Sequence, residues 1–279
     1  MDEVTDARSA PGRAVPRRVA TLNLASGRGG DGRPLTAAAL AAAVRDVDVD
    51  VLSLQEVDAA QPRSHGVHQA SVVAAALGAA DWRFAPTLRG TPGPVRSWRP
   101  VRPAVLHGPA TAGADGPLFG DALVSRVPVR RWHVLSLGAG RARLPIMAPD
   151  PRTGTPRWWW IPDEPRVALA AELPGLTVVA THLSFSPPTA LRQLWRLRRW
   201  MAGLPAPVVL AGDLNLPGPV PGRVVGGQPL ARALTYPGAD PRLQLDHLLA
   251  VGPAAGSDPV SRGLDVGDHL LLAVTVGPG

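Results

Sequence analysis

Residues 208–215 read Val208-Val209-Leu210-Ala211-Gly212-Asp213-Leu214-Asn215, an apolar run that stops at a glycine, a carboxylate and a carboxamide. Asp213 and Asn215 are two residues apart, so on an extended chain both side chains emerge on the same side. Such a pair can hold a metal-bound water and a phosphate oxygen. The same spacing also makes an ordinary Asx turn, so its weight depends on the rest of the chain. Other apolar runs also end or begin in groups able to do chemistry: Asn23, Glu56, His182, Asp246 before His247, and Asp268 before His269. With no cysteine, thiolate catalysis, disulfides and cysteine-held zinc are excluded. His65 and His68 lack enough companions for zinc, and they, His107 and His133 read as structural or surface residues.

The runs that must carry these groups have the lengths of strands and short helices. Residues 19–24 form the first strand, with Asn23 near its end. A Gly/Arg loop over residues 26–34 lacks the Gly-Lys-Ser/Thr ending of a P-loop. Thr36 N-caps an alanine-rich helix reaching about Arg45, and residues 49–54 form a strand that delivers Glu56 at its tip. A short helix over 71–77 and a short strand over 82–85 follow. Residues 88–117 and 145–165, rich in glycine, proline and arginine, are expected to be irregular. Residues 120–126 and 129–137 are expected to pair with each other across Val127-Pro128. Strands over 167–173 and 176–181 make a hairpin that ends in His182. Pro188 and Thr189 open a helix over 191–201 whose Leu191, Leu194 and Leu197 recur at helical spacing, leaving Arg192, Arg196, Arg198 and Arg199 on its wet face. Residues 208–213, 244–251 and 267–276 supply the remaining strands.

At 279 residues the chain is ample for one sizeable core, and no composition break demands two. Residues 1–17 read as a flexible leader and 18–279 as a single catalytic domain. The formal charge is +7, carried entirely by arginine since the sequence has no lysine, which gives modest support for a polyanionic substrate. The N-terminus lacks the apolar stretch of a signal peptide, and no run is long enough to span a membrane. A cytoplasmic location is the expectation.

Taken in order, Leu22-Asn23, Leu54-Gln55-Glu56-Val57, residues 120–126, Ala180-Thr181-His182, Gly212-Asp213-Leu214-Asn215, Leu245-Asp246-His247 and Gly267-Asp268-His269 resemble the endonuclease/exonuclease/phosphatase superfamily. The loop pieces Gln61 to Ser64, Gly90 to Gly93, Glu164-Pro165-Arg166 and Thr235-Tyr236-Pro237 look like a short actinobacterial branch of it. The resemblance covers residues 18–276 and implies an α/β fold, a four-layer α/β/β/α sandwich with two packed mixed sheets and the site at one rim. It further implies that Glu56 is the principal ligand of Mg²⁺, with Mn²⁺ a possible substitute. Asn23 helps position metal and phosphate, and Asp268 adjoins the metal. Asp213 orients or deprotonates the attacking water, and Asn215 donates to the scissile phosphate. His182 and His269 contact its non-bridging oxygens or protonate the leaving oxygen, and Asp246 is the carboxylate partner of His269. Hard oxygen ligands suit those ions better than zinc. Three positions depart from the family pattern: Asp121 for asparagine, His247 for an aromatic or aliphatic residue, and Gly267 for serine.

The function expected from this set is Mg²⁺-dependent hydrolysis of a phosphodiester, with nucleic acid the leading substrate class and Arg63 a candidate phosphate contact. A lipid or inositol phosphate is the alternative substrate, a phospholipid surface a possible partner, and a catalytically weak nucleic-acid-binding module the competing class. No protein partner is inferable. Trp158-Trp159-Trp160 cannot all face one side of a strand. Either they cover the core as a lid, or at least one ring stays exposed beside the site to stack on a base or enter a headgroup layer.

Overall fold

The computed structural model describes residues 15–92, 97–112, 116–150 and 153–279. Most of the expected leader, residues 1–14, therefore lies outside the described residues, and Arg17 already pairs with Val276 in the first strand. The elements in chain order are β1 (Arg17–Asn23), α1 (Ala37–Val44), β2 (Val51–Ala59), α2 (Gln69–Ala76), β3 (Asp81–Thr91), β4 (Ser97–Pro100), β5 (Leu118–Ser125) and β6 (Arg131–Gly138). They continue with β7 (Arg143–Pro149), β8 (Pro156–Pro162), β9 (Arg166–Leu173), β10 (Leu176–His182), α3 (Pro187–Met201), β11 (Val208–Asp213), α4 (Val220–Val225), β12 (Gln228–Pro229), β13 (Asp246–Val251), β14 (Ala254–Arg262) and β15 (Leu271–Pro278).

Two mixed sheets form the body. One has the order β14-β15-β1-β2-β5-β3-β4, the other β12-β13-β11-β10-β9-β6. Alternation along the strands builds three apolar layers. Val19, Val51, Val178, Val209 and Ala211 point between the sheets. Their neighbours Ala20, Leu22, Leu52 and Leu54 pack under Leu40 and Val44 of α1 and Val73 of α2. On the far side Val179, Val208 and Leu210 meet Leu194, Leu197 and Met201 of α3 and Val225 of α4. This is the four-layer sandwich, and burial on both faces explains why the central strands read as unbroken apolar runs. Thr36 caps α1 as expected, its hydroxyl accepting from the Ala39 N–H at 3.2 Å.

Three expectations need correction. β5 and β6 do not pair: β5 lies between β2 and β3, while β6 joins β9 in the other sheet, so Val127-Pro128 is a crossing between sheets and not a hairpin turn. Residues 88–117 are less irregular than expected, because β3 runs on to Thr91 and pairs with β4, Leu88 opposite Pro100. Residues 145–165 are not irregular either. β7 and β8 form a separate two-stranded sheet in which Trp158 faces Met147 and Trp160 faces Pro145 across the pair. Proline at the ends and edges of an isolated ribbon sacrifices no ladder bond, which is why it failed here as a strand breaker. β14 carries no apolar alternation that would mark it as a strand in the sequence, because it is exposed along nearly its whole length.

Candidate active site

The ends of β1, β2, β10 and β11 and the start of β13 meet at one rim because β1 runs parallel to β2 and β10 parallel to β11, while β13 runs against β11. Register does the rest: Asn23 lies opposite Gln55, His182 opposite Asp213, and Asp213 opposite Asp246. Across the gap between the sheets, Asn23 Nδ2 donates to Asp213 Oδ2 at 3.2 Å. The rim encloses a cavity of about 380 Å³ lined by Asn23, Glu56, His182, Asp213, Asn215, Asp268 and His269 among others. Asp246 stands behind His269, fully buried.

Two glycines allow this convergence. A Cβ on Gly212 would sit 1.9 Å from the Thr181 carbonyl oxygen, so β10 and β11 could not approach as they do. Gly267 has φ +80, and a Cβ there would lie 2.4 Å from the Asn23 carbonyl oxygen. Its replacement of the serine expected at that position thus goes with a tight contact between the β15 turn and the end of β1.

Asp213 divides its oxygens. Oδ1 accepts from the Asn215 backbone N–H at 3.0 Å, an Asx turn that holds Asn215 at φ +50. Oδ2 faces Asn23, His182 Nε2 at 3.5 Å and His269 Nε2 at 3.8 Å. The turn and the chemical geometry, alternatives at the level of sequence, are both present. His269 Nδ1 contacts Asp246 Oδ2 at 2.8 Å, and the other Asp246 oxygen is buried without a partner among the described residues. Burial favours the neutral His269 ring, but the Asp246 bond and charge, with Asp213 and Asp268 nearby, push it up to about 9. Burial, then the charge of Asp246, raises Asp213 to about 7 against the pull of His269. His182 moves the other way: burial, Arg166 and His269 hold it well below the ordinary histidine range.

Glu56 is not at a strand tip. It sits inside β2, at a register shift between Leu54 and Val57, with φ +54. A non-glycine residue there is uncommon and costs on the order of 1–2 kcal/mol, a strain often stored at functional sites. The bulge turns the carboxylate to the cavity, where Oε1 is 3.4 Å from Asn23 Nδ2. Asn23 thus directs its amide nitrogen at two carboxylates, and its oxygen accepts from the Ala25 N–H at 3.0 Å. Asp121 is buried beneath Glu56. Burial raises it to about 8, Glu56 adds to the rise, and Arg166 opposes it. The backbone N–H groups of His182 and Glu56 also oppose the rise. Glu56 and Asp268 both line the cavity, and their carboxylate oxygens are donors that fit a hard divalent cation. Asp213, Asp246 and His269 also bring ligand atoms within 4.8 Å of one another, but in that group His269 Nδ1 is committed to Asp246.

Arg63 lines the cavity while its guanidinium holds buried Asp58 with two bonds, 2.8 and 3.0 Å. His247 lies away from the cavity, bonding the Leu216 carbonyl at 2.9 Å. His68 N-caps α2 and His133 pairs with Glu172, structural roles for both. Two further cavity residues lay in loop pieces singled out by resemblance, but the sequence attached no role to either. Tyr236 stacks at 4.7 Å, tilted, on His269, and Arg166 donates to His182. Neither loop piece has a periodic signal that would aim the Tyr236 or Arg166 side chain at the site.

The β7–β8 ribbon overhangs this rim. Its root is fixed by Asp163, whose Oδ2 accepts from the Gly140 N–H and the Ser184 hydroxyl, just after His182. Leu144, Ile161 and Pro162 line the cavity. By alternation Trp158, Trp160 and Met147 share the opposite face, exposed by 60%, 62% and 58%. Trp159 lies on the inner face beneath the Arg157 guanidinium, 4.8 Å from its ring centre.

The family model described as "Endonuclease/Exonuclease/phosphatase family" matches residues 20–269. A comparison with curated proteins finds no match. Among solved structures, an endonuclease/exonuclease/phosphatase from Beutenbergia cavernae DSM 12333 is similar at 23% identity and TM-score 0.63, covering 95% of this chain and 72% of that one. Sphingomyelinase C from Streptomyces griseocarneus is similar at 17% identity and TM-score 0.52, covering 94% and 99%. D. rerio TDP2 complexed with single-strand DNA product is similar at 14% identity and TM-score 0.54, covering 95% and 100%. At these identities the structural likeness is one of fold.

Proposed function

The chain belongs to the endonuclease/exonuclease/phosphatase family of phosphoesterases, and from that premise we propose that it hydrolyses a phosphodiester with the help of Mg²⁺ or Mn²⁺. The observation that carries this reading is Asp213 Oδ2, a single oxygen with Asn23, His182 and His269 within 3.2, 3.5 and 3.8 Å. Glu56 with Asp268 and Asn23 would hold the cation, which supplies charge neutralisation at the phosphoryl group when bound.

The chain's own groups account for the proton movements. Water attacks phosphorus and gives a proton to Asp213 Oδ2 as the new O–P bond forms. The opposite P–O bond breaks, and the leaving oxygen takes a proton from His269, which its pairing with Asp246 keeps charged. The two groups face each other at 3.8 Å, so the proton gained by one restores the other. Asn215 and His182 donate to phosphoryl oxygens, where charge builds up.

Nucleic acid is the leading substrate class, supported by the all-arginine charge of +7 and by a fold shared with a protein solved with single-strand DNA product. A phospholipid is the second reading. It is favoured by one observation, the exposed face of Trp158, Trp160 and Met147 beside the cavity, and the same fold serves a sphingomyelinase C. One substrate panel decides: plasmid, abasic duplex, single strands, sphingomyelin vesicles and inositol phosphates, each with Mg²⁺ and with EDTA. Mg²⁺-dependent cleavage of the nucleic acids alone supports the first reading and cleavage of the vesicles alone the second. No metal-dependent hydrolysis of any substrate would leave the binding-module alternative.

A further inference from the structure

His182 ends β10 with both ring nitrogens engaged. Nδ1 lies 3.0 Å from Arg166 Nη1, and Nε2 lies 3.0 Å from the Asn215 side-chain nitrogen and 3.5 Å from Asp213 Oδ2. A guanidinium nitrogen offers only hydrogens, so the Nδ1 that faces it presents a lone pair. The ring's one hydrogen is then on Nε2, towards Asp213. A second proton would set N–H against N–H and cation against cation across 3.0 Å. At His269 the polarity is reversed, because its Nδ1 meets a carboxylate oxygen at 2.8 Å. Asp213, the carboxyl nearest the ring at 3.5 Å, meets Nε2 and not Nδ1.

Arg166 is well held for this contact. It is buried at the start of β9, its other terminal nitrogen is 3.9 Å from Glu164 Oε2, and its Nε has no acceptor among the described residues. The Asn215 side-chain nitrogen, which donates to the Leu183 carbonyl at 2.9 Å, also turns a donor towards Nε2, so the ring's one hydrogen must face either this neutral amide or the charged Arg166, and the contact with the charged group is the costlier. Several donors therefore crowd one spot, with Asp213 Oδ2 the acceptor nearest His182 Nε2. An entering phosphoryl oxygen accepts from both Asn215 and His182.

We propose that Arg166 is a positioning residue: by occupying the Nδ1 lone pair it fixes His182 as a neutral Nε2–H donor to the phosphoryl group and leaves proton delivery to His269 alone. The catalytic half of this assignment rests on the phosphoesterase reading, whereas the ring's tautomer does not. The first test is therefore made without turnover. In uniformly ¹⁵N-labelled full-length protein, long-range ¹H–¹⁵N correlations should show His182 with a bare Nδ1 and a protonated Nε2, and adding inorganic phosphate should leave that tautomer unchanged. Arg166→Met should release the ring to the other tautomer or a mixture, and Arg166→Lys, which keeps a donor-only cation, should retain it at least in part. Against p-nitrophenyl and alkyl phosphodiesters, Arg166→Met should lower kcat by about tenfold to a hundredfold by the same factor for both, because an electrostatic donor is indifferent to the leaving group.

A protonated Nδ1 in the wild-type protein would overturn the proposal, as would an unchanged tautomer in a folded Arg166→Met variant. A kcat loss that shrinks for the p-nitrophenyl ester would place Arg166 and His182 in proton delivery and overturn it equally. If Arg166→Met does not fold, the wild-type spectrum and the Arg166→Lys kinetics decide. A bare Nδ1 in a protein that hydrolyses no phosphodiester would overturn the proposed function and not the tautomer.

Discussion

Asp213 and His269 face each other with 3.8 Å between carboxylate oxygen and ring nitrogen, and their surroundings push both upwards. Burial and Asp246 make Asp213 a better base than an ordinary aspartate, and Asp246 makes His269 a cation over most of the working range. Groups of complementary role side by side are what acid–base hydrolysis needs.

Activity should accordingly follow a bell in pH, rising as Asp213 loses its proton near about 7 and falling as His269 loses its own near about 9. The limbs belong to the pair as a unit. For stability the sign is that of a raised base: the His269 contribution is fully present below 6.5 and is lost as pH climbs through about 9. His269→Ala should abolish the alkaline limb and remove that pH-dependent stability. A kcat/KM profile without a descending limb up to about pH 10 would detach His269 from the reaction.

Asp213→Asn and His269→Ala should each lower kcat by about a hundredfold or more while changing KM little, because both groups act on the barrier. The two histidines should separate by leaving group. The loss in His269→Ala should shrink for a p-nitrophenyl ester, which needs no acid, and the loss in His182→Ala should not. A rate within a few-fold of wild type in Asp213→Asn would end its assignment as base.

Glu56→Gln removes a ligand charge and almost no volume, so the protein should keep its melting temperature and need more Mg²⁺ to reach full rate. The measurement is a metal titration of activity beside a thermal melt. An unchanged titration would take Glu56 out of contact with the metal.

Gly267→Ser should be destabilising by roughly 1–3 kcal/mol, since a side chain at φ +80 would also meet the Asn23 carbonyl oxygen at 2.4 Å. Because that contact moves Asn23, activity should fall with stability. A denaturant midpoint equal to wild type would show that the β15 turn can yield.

Trp158→Ala and Trp160→Ala should leave stability within about 0.5 kcal/mol, as both rings are mostly exposed. Binding should be affected instead, and the class affected identifies the substrate. Loss of vesicle binding with single-strand binding intact would move the assignment from nucleic acid to lipid, and loss of stability in both variants would make the rings structural.

What the sequence determined by itself is local. The apolar runs that become β1, β10, β11 and β13, the caps and spacing of α1 and α3, and the arrival of Asn23, His182, Asp213 and Asp246 at strand ends follow from hydrophobic pattern and turn chemistry within a few residues. The ordered motifs added the family. What only the tertiary structure decided is non-local. Whether β5 joins β6 or β2 depends on partners some seventy residues away, and a proline at Pro128 is equally compatible with a hairpin or a sheet crossing. The bulge that turns Glu56 inwards is visible only against the register of β5. The ribbon of β7 and β8 escaped because its stability comes from cross-strand pairs such as Trp158 with Met147, not from a pattern within either strand. The role of Arg166 escaped for the most general reason: an arginine beside a proline carries no sign of its partner, and only the pairing of β9 with β10 brings its guanidinium to the imidazole of His182.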